Sequence, residues 1–357
     1  MSPLPNIAIH EGLNKSFSET LIRFEKIFEY NKIPFRRVNS SSEIFWEEIA
    51  DYDLFLYNFG QRDSELQNAK AVIPLVQNEF GIKCFPDTTT CWHYDDKIRQ
   101  YYLSMSAGFP MAKSWVFWNL EDALNWIEDA NFPVVFKLKG GAGSTNVVLI
   151  KNKYEAINVT KKMFSLKGVS FGKIPHSNNL NYLRDFFKLF GLRRFIAEKR
   201  GRLGPKGRHP YWQIHRDYVL FQKFFCDNQY DQRVTVIGKR AFTFLRYTRP
   251  NDFRASGSGL IDYDIEKNHK SCIKIAFEIS QKMNFQSMAY DFVFDENKNP
   301  HIVEISYTFV DYAVRKCPGY FDDNLNWHEG HYWPQFSVTD MLFPDLCIKQ
   351  PPDSVMR

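Results

Sequence analysis

Short apolar runs alternate with amphipathic stretches through the opening quarter of the chain, and that alternation admits few folds. Asn6-Ile-Ala-Ile-His10 has the pattern of a strand. Between Ser16 and Tyr30, Leu21, Phe24 and Phe28 recur at the three-to-four spacing of a helix face. Phe35 to Val38 and Asp53 to Phe59 read as further strands, with Ile44, Phe45 and Ile49 marking a short helix between them. Asp63 to Phe80 is a helix stopped at Gly81, and Lys83-Cys-Phe85 is a strand closed by Pro86. Strands separated by helices pair through crossovers rather than tight turns, so residues 1–90 are expected to form a parallel α/β unit.

Hairpins then take over. Thr88 to Ala107 reads as one helix ended by Gly108, Ala112 to Trp118 as a strand, and Leu120 to Asn131 as an amphipathic helix. Pro133-Val-Val-Phe-Lys-Leu-Lys139 runs into Gly140-Gly-Ala-Gly-Ser144, and Asn146 to Lys151 is its partner strand. A glycine-rich turn between two adjacent strands is a hairpin loop, unlike the strand-to-helix turn of a dinucleotide fold or a Walker loop. Residues 152–217 are the least regular part and include a basic stretch, Arg193 to Arg216, that reads as a loop. Beyond the strand Tyr218 to Phe225, two hairpins are expected. One is Asp231–Ile237 with Arg240–Tyr247; the other is Ser287–Phe294 with His301–Ile305, and the helix Ser271 to Met283 lies between them. The tail, 306–357, is aromatic and reads as loop-rich.

A chain of 357 residues, 44% of them hydrophobic, is long enough for several packed units. A net charge of +5 gives little support to nucleic-acid binding, which needs a concentrated basic face. No uncharged apolar run is long enough to span a membrane. The six cysteines include no CxxC pair, so neither a zinc ribbon nor a redox dithiol is expected, and free thiols in a reducing cytosol are. Met1 to His10 lacks the basic-then-apolar pattern of a secretory signal, so a cytoplasmic location is expected.

Three constellations carry chemistry. Lys137 ends an otherwise apolar strand just before glycines 140, 141 and 143; a buried ammonium there calls for an anion, and glycine backbone can approach phosphate oxygens closely. Asp291 and Glu304 stand on neighbouring strands, each with apolar flanks. Two such acids repel unless a cation joins them, and oxygen-only ligands suit magnesium. The arginines at 233, 246, 249 and 254 form the third; alternation puts Arg246 on one face with Phe242 and Phe244, where a guanidinium needs a bidentate anion. His328, Glu329 and His331 lack the spacing of a helical zinc motif and read as structural or substrate-facing.

In their order and spacing, Asp96-Lys97, Val135-Phe-Lys137 with the glycine loop, Phe221-Gln-Lys-Phe224, Asp231-Gln-Arg233, Asp291 and Glu304 resemble the ATP-grasp superfamily. The resemblance implies an ATP-grasp domain over 91–357, with a lid at about 131–217 and a metal-binding part at about 218–357, behind the α/β domain at 1–90. It implies that Lys97 and Lys137 hold ATP phosphates, that Gly140, Gly141, Gly143 and Ser144 form a closing loop, and that Gln222, Lys223 and Phe224 read adenine. Asp231 and Arg233 join the ATP site, Arg246 or Arg254 steadies the transferred phosphate, and Asp291, Glu304 and Ser306 bind one or two Mg2+. Ser306 stands where the family usually has Asn, and Lys139 where it often has Pro, which suggests a further phosphate contact. Arg254-Ala-Ser-Gly-Ser-Gly259, Glu304-Ile-Ser-Tyr307 and Cys317 to Gly330 look like ATP-grasp proteins of bacterial capsule and lipopolysaccharide clusters.

The expected activity is that of an ATP-dependent carboxylate–amine ligase working through an acyl phosphate, on a small-molecule or nucleotide-sugar carboxylate and an amine, modifying a sugar acid or amino-acid group in surface polysaccharide biosynthesis. The alternatives are a kinase or dikinase on the same fold, or a non-catalytic nucleotide-binding module. A homodimer is compatible with this reading. His10, Tyr307, Arg315 and His328 are the expected substrate contacts, from the segment His10 to Asn14 and from the aromatic tail.

Overall fold

The computed structural model describes residues 4–13, 18–141, 146–170, 214–250 and 252–356. The basic stretch up to residue 213, together with Gly143, Ser144 and Asn14, lies outside the described residues.

The N-terminal unit is a four-stranded parallel sheet. Its strands are β1 (Ile7–His10), β2 (Phe35–Val38), β3 (Leu54–Leu56) and β4 (Lys83–Phe85), in the order β2-β1-β3-β4. Helices α1 (Glu19–Tyr30), α2 (Phe45–Ile49) and α3 (Asp63–Asn78) make the crossovers. Local chemistry starts α1, where the Ser18 hydroxyl accepts from the Leu21 N–H.

Where the sequence reads one helix over 88–107, the structure has two, α4 (Thr88–Cys91) and α5 (Lys97–Ala107). Asp95 adopts φ 53°, which breaks the helical path, and the Asp96 carboxylate then caps a new helix by accepting from Ile98 and Arg99 N–H. The capped start puts Lys97 in the first position of α5.

A second, antiparallel sheet contains β5 (Ser114–Phe117), β6 (Val134–Lys137), β7 (Val147–Ile150) and β10 (Val219–Lys223), in the order β5-β10-β6-β7. It takes strands from both sides of the expected lid span 131–217. Helices α6 (Leu120–Asp129) and α7 (Lys153–Met163) cover one face and share its core with Phe136 and Phe221. A two-residue ladder, β8 (Val169–Ser170) with β9 (Ile214–His215), lies beside it.

The third sheet is the largest. β11 (Tyr230–Ile237) and β12 (Arg240–Tyr247) form one hairpin, β14 (Ser287–Phe294) and β15 (Pro300–Ser306) another, and β13 (Ile261–Asp262) pairs with β12. Helix α8 (Lys270–Lys282) packs beneath, with Ile273, Ala276 and Phe277 against Tyr290 and Phe292.

The tail is not loop. It forms α9 (Asp311–Arg315), extends the sheet through β16 (Gly319–Phe321) and β17 (Trp327–Glu329), and ends in α10 (Pro334–Leu342) and α11 (Asp353–Met356). Trp333, Phe336 and Leu342 join Phe24, Ile27 and Phe28 of α1 in one core, so the tail clamps the N-terminal unit to the large sheet. Burying side chains of this size contributes about 1.5–3 kcal/mol each. Among the described residues no helix is long and apolar enough to cross a membrane.

Candidate active site between the two antiparallel sheets

Strand β10 leaves the second sheet and passes directly into β11 of the third, so the two sheets share a hinge and a cleft. The cleft, about 180 Å³, is lined by Val135 and Lys137 of β6, Val147 of β7, the run Gln222–Phe225, and Arg254, Asp291 and Glu304. A second cavity, about 640 Å³, lies on the other side of the acids. Asp291, Glu304, Ala255 and Ser256 line both, so the two spaces meet at the paired carboxylates.

Register puts the acids there. Antiparallel pairing sets Asp291 opposite Glu304 on one side and opposite Arg233 on the other. Arg233 donates to both Asp291 oxygens at 2.7 and 2.8 Å, and Arg246 Nη2 reaches Asp291 Oδ2 at 2.8 Å. Burial alone would raise the Asp291 carboxyl, but the two guanidiniums outweigh it and hold the group well below the usual carboxylate range. Arg246 also makes a bidentate pair with Asp231, at 2.6 and 2.7 Å. The anion that the buried Arg246 needs is therefore already supplied by the protein itself.

The lysines meet the same centre. Lys97 Nζ donates to Gly141 O at 2.9 Å and lies 3.1 Å from Glu304 Oε1. Burial opposes its charge, yet Glu304 and Asp95 raise its pKa above the ordinary value. Lys137 is buried, its ammonium donating to Val303 O at 3.1 Å. Desolvation pushes it down to about 8, with Glu304 pulling the other way. Asp95 accepts the Gly141 N–H at 2.7 Å and so ties the start of the glycine turn to the α4–α5 break. Burial lifts Asp95 to about 6, with Lys97 and the Gly141 N–H acting against the rise.

Solved structures share this architecture at low identity. D-cycloserine synthetase matches with a TM-score of 0.55 at 11% identity, over 96% of this chain and 99% of that one. The biotin carboxylase domain of the Hydrogenobacter thermophilus 2-oxoglutarate carboxylase, solved with Mg-ADP, ADP and bicarbonate, matches at 0.55 and 12%, over 95% and 70%. Biotin carboxylase from Campylobacter jejuni gives 0.55 and 12%, over 99% and 73%. The chain has the ATP-grasp fold. No protein-family model and no curated protein matches its sequence.

Within the ATP-grasp frame, Lys97, Lys137, Gly141, Asp231, Arg233, Arg246, Asp291 and Glu304 gather at the junction of cleft and cavity. Gln222, Lys223, Phe224 and Arg254 line the cleft, and Arg254 is held by the Asp252 carboxylate at 2.7–3.0 Å. Gly140 is packed so closely on Asp95 that a Cβ would stand 3.0 Å from its Oδ2. Ser306 lines the larger cavity, its hydroxyl 2.9 Å from that of Thr308. Lys139, expected at the phosphates, lines neither space; its ammonium lies 5.9 Å from the Tyr218 ring centroid.

The structure places the four expected substrate contacts away from both spaces. Tyr307 is 1% exposed, and its hydroxyl is shared between Phe59 N–H and C=O in the core. His10 is fully buried, stacked on Tyr57, with Nδ1 accepting from Gly12 N–H and Nε2 2.7 Å from Ser40 Oγ. Arg315 pairs with Asp353 at 2.8 Å beside Trp333. His328 stacks on Tyr320 and bonds Asp322 at 2.9 Å. None of the four lines either space. His328→Ala and Arg315→Ala should therefore leave steady-state kinetics within about twofold of wild type. Arg315→Ala should cost about 1 kcal/mol of stability by denaturant titration, as expected for a partly exposed pair. A large rise in a substrate KM in either variant would return the tail to the site.

Asp95 was missed by sequence reasoning because it sits in a stretch with helical spacing. Thr235 and Ala289 were also missed, although strand alternation places them on the same face as Arg233 and Asp291.

Proposed function

We propose that this protein is an ATP-dependent carboxylate–amine ligase that forms an amide through an acyl phosphate and releases ADP and phosphate. The observation that carries the reading is the meeting of two separate spaces at one charged centre. A nucleotide in the cleft and an acid in the cavity would bring a γ-phosphate and a carboxylate together at Asp291 and Glu304. The biotin carboxylase structures solved with Mg-ADP and as a β,γ-ATP complex support nucleotide binding in the cleft.

The adenine would lie along Gln222–Phe224 between Val135 and Val147, in the hinge between the sheets. Lys97, Lys137 and Arg254 would hold the phosphates. Among the described residues no group of three or more His, Cys, Asp or Glu side chains stands together as a metal site. The pair Asp291 and Glu304 nonetheless fits magnesium, which takes one or two carboxylates and completes its shell with phosphate oxygens and water. Bound there, it would neutralise phosphate charge during transfer.

The substrate carboxylate attacks the γ-phosphorus and ADP departs. An amine then adds to the acyl carbon, and inorganic phosphate leaves. Lys97, Lys137 and the arginines stabilise charge on the transferring group without forming bonds to it.

The polysaccharide role, which rested on the resemblance of 254–259, 304–307 and 317–330, draws no support from the neighbouring structures and is not part of this proposal. ADP release that requires both an acid and an amine tests the proposal; release with the acid alone, leaving a stable phosphorylated product, would make the protein a kinase.

Lys137 gives a pH test. Binding a polyanion needs its charged form, and the free site loses that charge as pH rises through about 8. The KM for ATP should therefore climb above pH 8, approaching about tenfold per pH unit. Lys137→Arg, charged throughout, should flatten the profile. A flat wild-type profile from pH 7 to 9.5 would remove Lys137 from the phosphates.

A further inference from the structure

The charged row on the large sheet has a neighbour of a different character. Register aligns Arg233, Asp291 and Glu304 across β11, β14 and β15. Two residues along, on the same face, Thr235, Ala289 and Ser306 form the adjacent row, about 7 Å away. All three are small, and all three line the 640 Å³ cavity. The space beside the charged centre exists because this row carries no large side chain.

Much of what surrounds that space is apolar, beside Gln61, Tyr94, Gln100, Thr308 and the serine- and glycine-rich run 255–259. Phe244, Ile261, Phe309, Val310, Ala313 and Val314 wall it. Its charged lining residues are Asp95 and the Arg233–Arg246–Asp291–Glu304 centre, leaving the remaining wall without charge. The neutral polar groups are largely engaged within the protein. Gln61 donates to Asp95 at 3.2 Å, Gln100 both donates to His93 O and accepts from Ile305 N–H, and Ser306 and Thr308 bond each other. Thr235 differs: it is 1% exposed, and its hydroxyl has no hydrogen-bond partner among the described residues.

We propose that the acid activated here has an uncharged, apolar body. Its carboxylate faces the charged row, its body lies over Ala289, and a rotation of the Thr235 side chain gives it one hydrogen bond. This assignment rests on the ligase reading. A sugar acid or a dicarboxylate fits poorly: each hydroxyl or second charge stripped of water without a partner costs about tenfold or more in affinity.

The test uses the full chain, Mg-ATP and hydroxylamine, a general nucleophile that traps acyl phosphates as hydroxamates. ADP release is compared across aliphatic, aromatic and α-amino acids, uronic acids and dicarboxylates, with ATP affinity measured in parallel. Apolar-bodied acids should lead by at least about tenfold in kcat/KM. Ala289→Leu, which fills the floor, should shift preference toward shorter acids by at least about tenfold while leaving ATP affinity unchanged. Thr235→Val should raise the acid KM severalfold with ATP affinity likewise unchanged. Preference for uronic acids or dicarboxylates, or unaltered acid selectivity in Ala289→Leu, overturns this substrate class and leaves the ligase reading standing. ATP binding with no acid-stimulated ADP from any class overturns the ligase reading, and the substrate class with it.

Discussion

Glu304→Gln is expected to lower ADP formation by at least about a hundredfold to a thousandfold without disturbing the fold. Removing one preorganised electrostatic partner from a phosphoryl or acyl-transfer site typically costs that much, and Glu304 serves two partners. It would be one of two carboxylates holding the metal, and it is the anion that fixes Lys97 at 3.1 Å. Glutamine keeps the shape and loses both functions. The structural cost should be small: Lys97 retains its bond to Gly141 O and the field of Asp95, and the Glu304 side chain is 31% exposed. Unchanged far-UV circular dichroism and melting, together with retained binding of ATP alone, would show that the loss is chemical. Near-wild-type turnover in the variant would end the assignment of Glu304 to the metal and weaken the proposed reaction with it.

The elements that could be read from the sequence are those whose pattern is local. The hairpins β11–β12 and β14–β15 follow from alternating apolar residues on either side of short polar turns, and they bring Asp291 opposite Glu304. The partner of Arg246 was also within reach. With the turn at Gly238-Lys239, Ile237 pairs with Arg240, so Asp231, six residues earlier, must face Arg246, six residues later. That register shows why a guanidinium on an apolar face needs no external anion. The break between α4 and α5 was not legible. Cys91-Trp-His-Tyr94 contains neither Gly nor Pro, and the left-handed Asp95 carries no distinctive signal, so the residue holding Gly141 was hidden inside a presumed helix. The tail was misread for a different reason. Aromatic composition does not say which face a ring will cover, and three-residue strands such as β16 and β17 are specified by pairing, β16 with the distant β12 and β17 with β16, rather than by their own pattern.

The second large effect should appear in stability. Asp291 is 4% exposed and accepts from both Arg233 and Arg246. Asparagine presents an N–H2 group to one guanidinium and offers the other a single neutral oxygen. Arg246 would keep Asp231, but Arg233 would be left partly buried without an anion. Breaking a buried pair in this way costs about 3–5 kcal/mol, so the urea midpoint of Asp291→Asn should fall sharply and activity should vanish.

The pH dependence has a defined sign. The folded-state pKa of Asp291 is depressed, so its contribution is fully present above the unfolded carboxylate value, about 3.9, and is lost as pH falls from there toward the lower folded value. The stability gap between wild type and Asp291→Asn should therefore be constant at neutral pH and narrow on acidification below about pH 4. A gap under about 1 kcal/mol at pH 7, or one that widens in acid, would contradict this account of the buried centre. In the free protein, Arg233, Arg246 and Lys97 already neutralise Asp231, Asp291 and Glu304. An incoming triphosphate and its metal therefore exchange partners within a balanced network rather than fill a charged void. ATP without magnesium should then restore part of the stability lost in Asp291→Asn, because phosphate oxygens can take the place of the missing carboxylate beside the arginines.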